Sequence, residues 1–273
     1  MPEGPEVRRE ADRIAKVIAG KPLESVFFGQ AHMKASADAL IDAQVLTVQT
    51  HGKAMLTHFD NGYTVYSHNQ LYGKWFIRRR GKVIATKRQL RFGLYTQTHC
   101  ALLYSASSIE LWETGQLAEH PFLRKLGPDV LDKKLEWREV AERLKQPEFR
   151  RRALSALYLD QGYLAGIGNY MRSEILYAAG LAPTLKPQQL GQGQLGALAR
   201  ATLMISQRAY ATAGITNAPS NVARMRREGL SRRQYRFAVF DRDGEPCLRC
   251  GCVIEKIVAS RRLYLCPSCQ PES

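Results

Sequence analysis

The sequence predicts an α+β protein in which an N-terminal helix and a β-strand region precede a helical region and a small metal-binding module. Four observations predict this class. The first twenty residues carry an apolar stripe at helical spacing, and short strand-like segments follow from about Ser25 to Glu113. Longer segments with helical periodicity then run to about Ala213. The chain has 273 residues, which is enough for two hydrophobic cores.

The first helix is predicted from Pro5 to about residue 19. Its apolar residues recur at spacings of four, three and four, which places them on one helix face: Val7, Ala11, Ile14 and Ile18. Pro5 suits the first helical turn, and Gly20 suits the C-terminal cap. Glu3 and Glu6 lie at the N-terminal end, where the helix dipole favours acidic groups.

Six short segments rich in β-branched or aromatic residues predict strands without intervening helices. They span residues 44–51, 54–59, 63–68, 74–79, 91–98 and 101–106. Asn61-Gly62 is a signal for a two-residue hairpin between the second and third of them. A run of strands of this kind indicates a β-sandwich or a β-barrel.

The second half of the chain is predicted to be mainly helical. Helices are expected within residues 135–146, 149–161, 169–180 and 193–213, after a linker at 120–132. The arginine-rich stretch 216–236 is predicted to be a loop that contacts phosphates. The predicted domains are 1–125, 126–235 and 236–273.

The charge balance favours a polyanionic partner. Forty Lys and Arg against 25 Asp and Glu give a net charge of +15 and a pI near 9.7. Binding to nucleic acid explains such an excess, and a basic surface kept for solubility is the alternative. No apolar run is long enough to span a membrane, and the charged first twenty residues do not form a secretory signal. A cytoplasmic protein is therefore expected.

Two C-x-x-C pairs near the C-terminus predict one structural Zn²⁺ ion. Cys247 and Cys250 are separated from Cys266 and Cys269 by a 15-residue spacer, which lies in the range of zinc sites. A hairpin is expected between the pairs. Cys252 is expected to pack rather than bind metal, and Cys100 is expected in the core.

The N-terminus carries a candidate nucleophile. Removal of Met1 leaves Pro2 with a free secondary amine, which attacks an aldehyde carbon to form an iminium ion. An ordinary helix start is the alternative interpretation of Met-Pro.

These features occur in an order that resembles one enzyme family. The segments are PEGPEVRR at the N-terminus, Gly-Lys at 52–53, SHNQLYG at 67–73, HPFL and GPDVL within 120–131, residues 159–181, and the four-cysteine finger. Together they resemble the bifunctional DNA glycosylases of the formamidopyrimidine-DNA glycosylase/endonuclease VIII family. SHNQLYG resembles the endonuclease VIII branch. The resemblance implies a two-layer antiparallel β-sandwich after the first helix and a helix–two-turn–helix domain before the finger.

The resemblance also implies the catalytic residues. Pro2 matches the proline that forms a Schiff base with the sugar C1′, and Glu3 matches the general acid that opens the sugar. Glu6 would support Glu3. Lys53, which is expected on the strand after Gly52, matches the lysine that assists β-elimination and binds the lesion phosphate. Arg261 matches the arginine that assists δ-elimination, with Arg262 as the competing candidate.

Further residues are implied to bind DNA. Gln70, Leu71 and Tyr72 match the loop that fills the gap left by the extruded nucleotide. Asn169, expected to cap a helix, matches the asparagine that contacts phosphates near the lesion. Lys125 stands where the endonuclease VIII branch usually has an arginine; a lysine still binds phosphate but lacks the bidentate fork, and the neighbouring Arg124 competes for this contact.

The implied function is a DNA glycosylase and AP lyase of base excision repair that acts by β,δ-elimination. Oxidised pyrimidines are the expected substrates. Oxidised purines are the first alternative, and a damaged-DNA binding protein without activity is the second. The expected partner is double-stranded DNA with damaged bases or abasic sites, bound by a monomer in the bacterial cytoplasm at the nucleoid, without nucleotide or redox cofactor.

Overall fold

A computed structural model describes residues 2–258 and 261–272, which form two compact units. The first unit contains Pro2 and Glu6–Lys125. The second contains Glu3–Pro5 and the residues from Leu126 onward. The unit boundary therefore falls between Pro2 and Glu3, and again between Pro5 and Glu6. Among the described residues, no helix is both long enough and apolar enough to cross a bilayer.

The first unit is built from one helix and eight strands. In chain order these are α1 (Gly4–Ile18), β1 (Ser25–Phe28), β2 (Val45–His51), β3 (Ala54–Phe59), β4 (Tyr63–His68), β5 (Lys74–Arg79), β6 (Leu90–Tyr95), β7 (His99–Tyr104) and β8 (Ser108–Glu113). The first two residues of α1 belong to the second unit. A 3-10 helix at Ala31–Leu40, which the sequence pattern did not predict, follows β1.

The strands form a two-layer antiparallel sandwich, as the resemblance implied. One sheet has the order β2-β3-β4-β8 and the other has the order β1-β6-β7-β5. Alternate residues of both sheets and the apolar stripe of α1 share one core, which includes Ile14, Val65, Phe92 and Leu103. The β3–β4 connection is the three-residue loop 60–62, one residue longer than predicted. Gly62 has φ +84° there.

One connection crosses the face of a sheet. Both β5 and β6 pair antiparallel with β7, with Lys74 and Leu90 each opposite Tyr104. These two strands therefore run in the same direction, and residues 80–89 must return along the length of β7. We call residues 80–89 the strap. Residues 80–84 line a cavity with the outward-facing side chains of β7, so the strap crosses the face opposite the core.

The strap explains the environment of Cys100. The thiol is buried, as expected, but Cys100 lies outside the sandwich core. Its neighbour Ala101 faces that core, and strand side chains alternate between faces, so Cys100 points to the face that the strap covers. The expected burial of Cys100 is therefore confirmed, with its side chain on the face beneath the strap and not between the two sheets.

The second unit is helical and ends in a small hairpin. Its elements are α2 (Trp137–Lys145), α3 (Leu154–Leu157), α4 (Asn169–Ala179), α5 (Gln192–Ala211), α6 (Pro219–Arg227), α7 (Arg232–Tyr235), β9 (Glu255–Val258) and β10 (Arg262–Leu265). Its largest core includes Leu144, Leu157, Met171 and Leu198, which come from α2, α3, α4 and α5. The predicted hairpin is confirmed, although residues 259–260 between its strands lie outside the described residues.

Two predictions in this unit are wrong. The predicted helix at 149–161 is a single turn, α3, because Leu154 and Ser155 donate their amides to Leu185 and Pro183 instead of to a preceding turn. The predicted loop at 216–236 contains α6 and α7. Pro219 occupies the first turn of α6, and Gly229, at φ +76°, follows its end.

Candidate active site

The carboxylate of Glu3 is bound at the N-terminus of α4. Glu3 is 3% exposed. It accepts hydrogen bonds from the amides of Gly168 and Tyr170, each at 2.8 Å, and from Met171 at 3.3 Å. Backbone donors and the positive end of the helix dipole stabilise the ionised carboxylate. The carboxylate of Glu3 therefore does what a capping side chain does in other helices.

This arrangement depends on glycine in the turn before α4. A Cβ placed on Gly168 would lie only 2.5 Å from Glu3 Oε1, so a side chain and the carboxylate cannot both occupy this space. Gly166 has φ +103°, a conformation open to glycine, and its carbonyl accepts the amide of Gly4 at 2.8 Å. The turn therefore holds the segment from Glu3 to Pro5 through both backbone and side chain.

Asn169 is the first residue of α4 and not its cap, which corrects the prediction. The capping position is Gly168, and Asn169 Oδ1 accepts a hydrogen bond from Arg172 Nη2 at 2.7 Å. The oxygen of the amide is thereby engaged, and the NH₂ group is the part of the side chain that suits a phosphate oxygen.

Arg172 links Asn169 to the finger hairpin. Its guanidinium also donates to the carbonyls of Ser155 and Arg262, at 2.9 and 3.1 Å. Burial and the nearby charge of Arg261 lower the pKa of Arg172 to about 10, whereas Glu3 acts in the opposite sense. The structure therefore brings Glu3, Asn169 and Arg261 into one electrostatic group. The sequence analysis missed Arg172, although it lies in the matched segment 159–181, one turn after Asn169.

Lys53 lies in a turn and not on a strand, contrary to the expectation. His51 pairs with Ala54, so Gly52 and Lys53 form a two-residue hairpin loop between β2 and β3. Gly52 has φ +60° and Lys53 has a negative φ, the pattern of a type II′ turn. Lys53 is 8% exposed. The side chain of Lys53 is therefore surrounded mainly by protein and not by solvent.

His68 connects Lys53 to the loop that follows β4. Burial and the charge of Lys53 both lower the pKa of His68, which favours the neutral ring. The neutral ring accepts the amide of Gln70 on Nδ1 at 3.0 Å. No role was predicted for His68, although its place within SHNQLYG, directly before the loop, is visible in the sequence.

Gln70, Leu71 and Tyr72 form the exposed loop that we call the wedge loop. Leu71 is 66% exposed and Tyr72 is 70% exposed, which is unusual for large apolar side chains. Gln70 has φ +48° and its Oε1 accepts from Ser107 at 2.7 Å. The loop is anchored beneath by Asn69, which is buried and donates to the carboxylate of Glu10 on α1.

Lys125 ends a short 3-10 helix, and both Lys125 and Arg124 are exposed. The turn before them is organised by His120, a buried residue whose Nδ1 accepts the amides of Phe122 and Leu123 at 3.1 and 3.3 Å. The structure therefore presents both cations to solvent, and each is suited to a phosphate.

The four predicted zinc ligands converge. The sulfur atoms of Cys247, Cys250, Cys266 and Cys269 all lie within 4.8 Å of one another. Two of the pairs are 3.4 and 3.9 Å apart, whereas four thiolates around tetrahedral Zn²⁺ are about 3.8 Å apart and a disulfide is about 2.05 Å long. The cysteines therefore fit one Zn²⁺ ion.

Groups around the cysteines also suit thiolates. The hydroxyl of Tyr177, on α4, lies 3.2 Å from Cys247 Sγ, and the amide of Arg249 donates to the same sulfur. Cys252 is exposed and lies outside the cluster, so the expectation that it packs in the interior is wrong. The knuckle places its backbone carbonyl, and not its side chain, against Cys247.

Comparison with known families gives three matches along the chain. Residues 1–106 match the formamidopyrimidine-DNA glycosylase N-terminal domain, and residues 126–220 match the formamidopyrimidine-DNA glycosylase H2TH domain. Residues 244–271 match the zinc finger found in FPG and IleRS. The finger match and the sulfur geometry both indicate one bound metal ion.

Full-length relatives and solved structures agree with these matches. Endonuclease 8 of Escherichia coli O17:K52:H18 (strain UMN026 / ExPEC) is 49% identical over 271 residues, 99% of this chain and 100% of the relative. Endonuclease 8 of Shigella sonnei (strain Ss046) is 48% identical with the same coverage. Lactococcus lactis formamidopyrimidine-DNA glycosylase, bound to DNA with an AP site, has the same fold at a TM-score of 0.80 and 22% identity, covering 98% of this chain and 99% of that one. The chain therefore belongs to the formamidopyrimidine-DNA glycosylase/endonuclease VIII family of DNA glycosylases and AP lyases that act in base excision repair.

Proposed function

We propose that this DNA glycosylase and AP lyase excises oxidised pyrimidines, with Pro2 as the nucleophile, and cleaves the strand by β,δ-elimination. Identity of 47–49% with Endonuclease 8 proteins over the whole chain supports the endonuclease VIII branch, for which the resemblance implies these substrates. Oxidised purines are the alternative. The Lactococcus lactis structures contain DNA with an oxidised pyrimidine and DNA with FAPY-dG, so they favour neither class.

The position of Glu3 is the observation that carries the proposal. Glu3 directly follows Pro2 in the chain, and its buried carboxylate has three backbone donors. These donors fix its orientation and stabilise its ionised form. A carboxylate of this kind first accepts a proton and only afterwards donates it, so Glu3 suits a proton shuttle better than an acid that is protonated from the start.

The proposed reaction begins with attack of the Pro2 nitrogen on C1′ of the damaged nucleotide. The bond from C1′ to the base breaks, and the base leaves with a proton from solvent, while the carboxylate of Glu3 accepts the proton that the Pro2 nitrogen loses. The C1′–O4′ bond then opens as Glu3 returns a proton to O4′, which leaves an iminium ion between Pro2 and the sugar. Removal of Met1 is required for this step, and Met1 lies outside the described residues.

The iminium ion acidifies C2′ and drives two eliminations. Loss of a C2′ proton expels the 3′ phosphate, and a second elimination expels the 5′ phosphate, which leaves a one-nucleotide gap with phosphate at both ends. We assign assistance of the first elimination to Lys53 and of the second to Arg261. Asn169 and Lys125 bind phosphates, and the wedge loop fills the gap left by the extruded nucleotide.

The zinc ion has a structural role in this proposal. The four cysteine thiolates would hold it, and when bound it supplies the cross-link that a finger of this size needs in order to fold. The hairpin that bears Arg261 depends on the finger for its conformation. We further propose that the protein works as a monomer on double-stranded DNA in the bacterial cytoplasm.

Reductive trapping tests the nucleophile. Borohydride added to the protein with abasic-site duplex should give a covalent complex, and mass spectrometry should locate the sugar remnant on Pro2. A Pro2→Gly variant, or protein that retains Met1, should trap weakly or not at all. An adduct on a lysine contradicts the assignment of Pro2, and no adduct with the mature protein favours a damaged-DNA binding protein.

Substrate class is tested by excision from matched duplexes. One duplex carries thymine glycol and the other carries 8-oxoguanine at the same position. Single-turnover excision should be faster on thymine glycol. Faster excision of 8-oxoguanine would overturn the pyrimidine assignment and leave the Pro2 chemistry intact.

A further inference from the structure

Among the stretches of the chain without an acidic residue, the strap lies in the one that has the most basic residues. No acidic residue occurs between Asp60 and Glu110, whereas eight basic residues do: Lys74, Arg78, Arg79, Arg80, Lys82, Lys87, Arg88 and Arg91. All of them except Arg91 are exposed. A surface of this composition repels cations and attracts a polyanion over a distance of about 8 Å at physiological salt.

The structure of the strap does not require Lys82 or Lys87. Cys100 and Leu102 are buried on the face that the strap crosses, and Ile84 lines the same cavity, so apolar contact accounts for the covering of this face. Lys82 and Lys87 have no ion-pair partner within the part of the chain that the structure describes. Val83, which follows Lys82 in the strap, is 92% exposed. The side chains near the middle of the strap are therefore available to a ligand.

The strap is continuous with the wedge loop. The guanidinium of Arg88, near the end of the strap, donates a hydrogen bond to the carbonyl of Tyr72 at 2.5 Å. Lys74, two residues after Tyr72, lies at the start of β5 and is exposed. The basic residues thus start directly beside the wedge loop, and no acidic residue separates the two in the chain.

We infer that the strap is a second DNA-contacting element, which binds phosphates of the duplex that flanks the lesion. This inference rests on the proposed role of the wedge loop. The strap returns along the six residues of β7, a length of about 17 Å. A duplex carries one phosphate per 3.4 Å on each strand, so this length corresponds to about five base pairs. The strap adds sequence-independent affinity and takes no part in the chemistry.

The test neutralises the two unpartnered lysines in a K82Q/K87Q variant. The control is K133Q/K134Q, which removes the same charge from two exposed lysines of the second unit. Fluorescence anisotropy measures binding to a duplex with an abasic-site analogue, with fifteen base pairs on one side of it and either two (short duplex) or fifteen (long duplex) on the other, in both polarities. The same titrations are repeated across a range of salt concentrations.

The expected result is a loss of affinity that depends on duplex length. On the long duplex, K82Q/K87Q should bind about tenfold more weakly, and its log–log salt slope should fall by about two. On the short duplex, variant and wild type should differ less. K133Q/K134Q should keep the wild-type difference between duplexes. Single-turnover excision at saturating enzyme should be unchanged in K82Q/K87Q.

Three outcomes would overturn the inference. Equal loss in both double variants indicates a net-charge effect. A salt slope equal to that of wild type removes the strap from the phosphate contacts. A loss of affinity in K82Q/K87Q that is seen only with single-stranded DNA or RNA, titrated in the same way, assigns the strap to another polyanion. If wild type binds DNA with this length dependence but excises no base, the proposed function fails while the strap is still a DNA contact.

Discussion

At the scale of single residues, Glu3 combines an observed structural role with a proposed catalytic role. Its carboxylate completes the N-terminus of α4, and it follows the proposed nucleophile in the chain. The chemistry of Glu3 is therefore set by backbone amides, whose positions depend on glycine at residue 168. No feature of residue composition reveals this contact, because Glu3 and Gly168 are 165 residues apart in the chain.

Replacement of Gly168 by alanine should displace the carboxylate of Glu3. The new Cβ would occupy the space of the Glu3 side chain, and a shift of about 1 Å at a reacting group lowers rates by about 100-fold. Excision and borohydride trapping should both fall by this order in single-turnover assays. Gly193→Ala, where nothing lies within 4 Å of the new Cβ, is the control and should keep wild-type rates. If Gly168→Ala forms the borohydride-trapped complex at the wild-type rate, the proposed role of Glu3 in the reaction is contradicted.

At the scale of elements, the strongly periodic segments were predicted well from sequence. Helix α1, helix α5 and the strands from β2 to β5 lie close to their predicted bounds, because burial of one face dictates their pattern. The predicted helix at 149–161 failed because amides of its middle bond to residues near 183–185. Such tertiary contacts have no local signal.

The prediction of a loop at 216–236 failed for a different reason. Its arginines suggested solvent exposure, but α6 carries buried Val222 and Met225 three residues apart. Proline at the start and glycine after the end were both visible in the sequence. The division of the chain at residues 125 and 235 stays a prediction.

For the candidate site, the sequence supplied candidate residues but not the contacts among them. Motif resemblance supplied Lys53, Asn169 and Arg261, and the C-x-x-C spacing supplied the zinc ligands. The linking residues Arg172 and His68 were missed, because their importance lies in bonds to residues that only the fold brings near. Sequence spacing predicts the ligands of one metal ion well, because all four side chains must reach the same ion.

Removal of zinc should unfold the finger and spare the rest. Zinc binding to such modules is worth about 10–16 kcal/mol, more than a hairpin of this size gains by packing. Treatment with a strong chelator should expose four reactive thiols and abolish δ-elimination, while far-UV circular dichroism changes little. Addition of Zn²⁺ should restore activity. Unchanged thiol reactivity after verified metal removal contradicts a structural role for the ion.

At the scale of the whole molecule, two histidines of the first unit make stability depend on pH. Burial lowers the pKa of His58, and burial with the charge of Lys53 lowers that of His68, both from an ordinary value of 6.5. Below pH 6.5 the unfolded chain binds protons that the folded protein resists. Stability is therefore complete above pH 6.5 and falls as pH decreases toward the folded pKa values.

A His68→Asn variant isolates one of these histidines. The asparagine oxygen replaces Nδ1 as acceptor for the Gln70 amide, and the side chain no longer titrates. Urea unfolding at pH 7.5 and at pH 5.5 should show a smaller loss for the variant than for wild type. His68→Ala, which also loses the acceptor, should be less stable at both values. Identical pH dependence in wild type and His68→Asn would exclude His68 as a source.

The assignment of Glu3–Pro5 to the second unit has a practical consequence for engineering. A fragment that starts at residue 126 would leave three amides at the N-terminal end of α4, those of Gly168, Tyr170 and Met171, without their anion, although every helix of that half is present. Likewise, a chimaera between two relatives joined at residues 125 and 126 would combine Glu3–Pro5 from one parent with the N-terminal end of α4 from the other. Glu3–Pro5 and the C-terminal half should come from the same parent. A chimaera that keeps their contacts therefore needs two junctions, one of them within the first six codons.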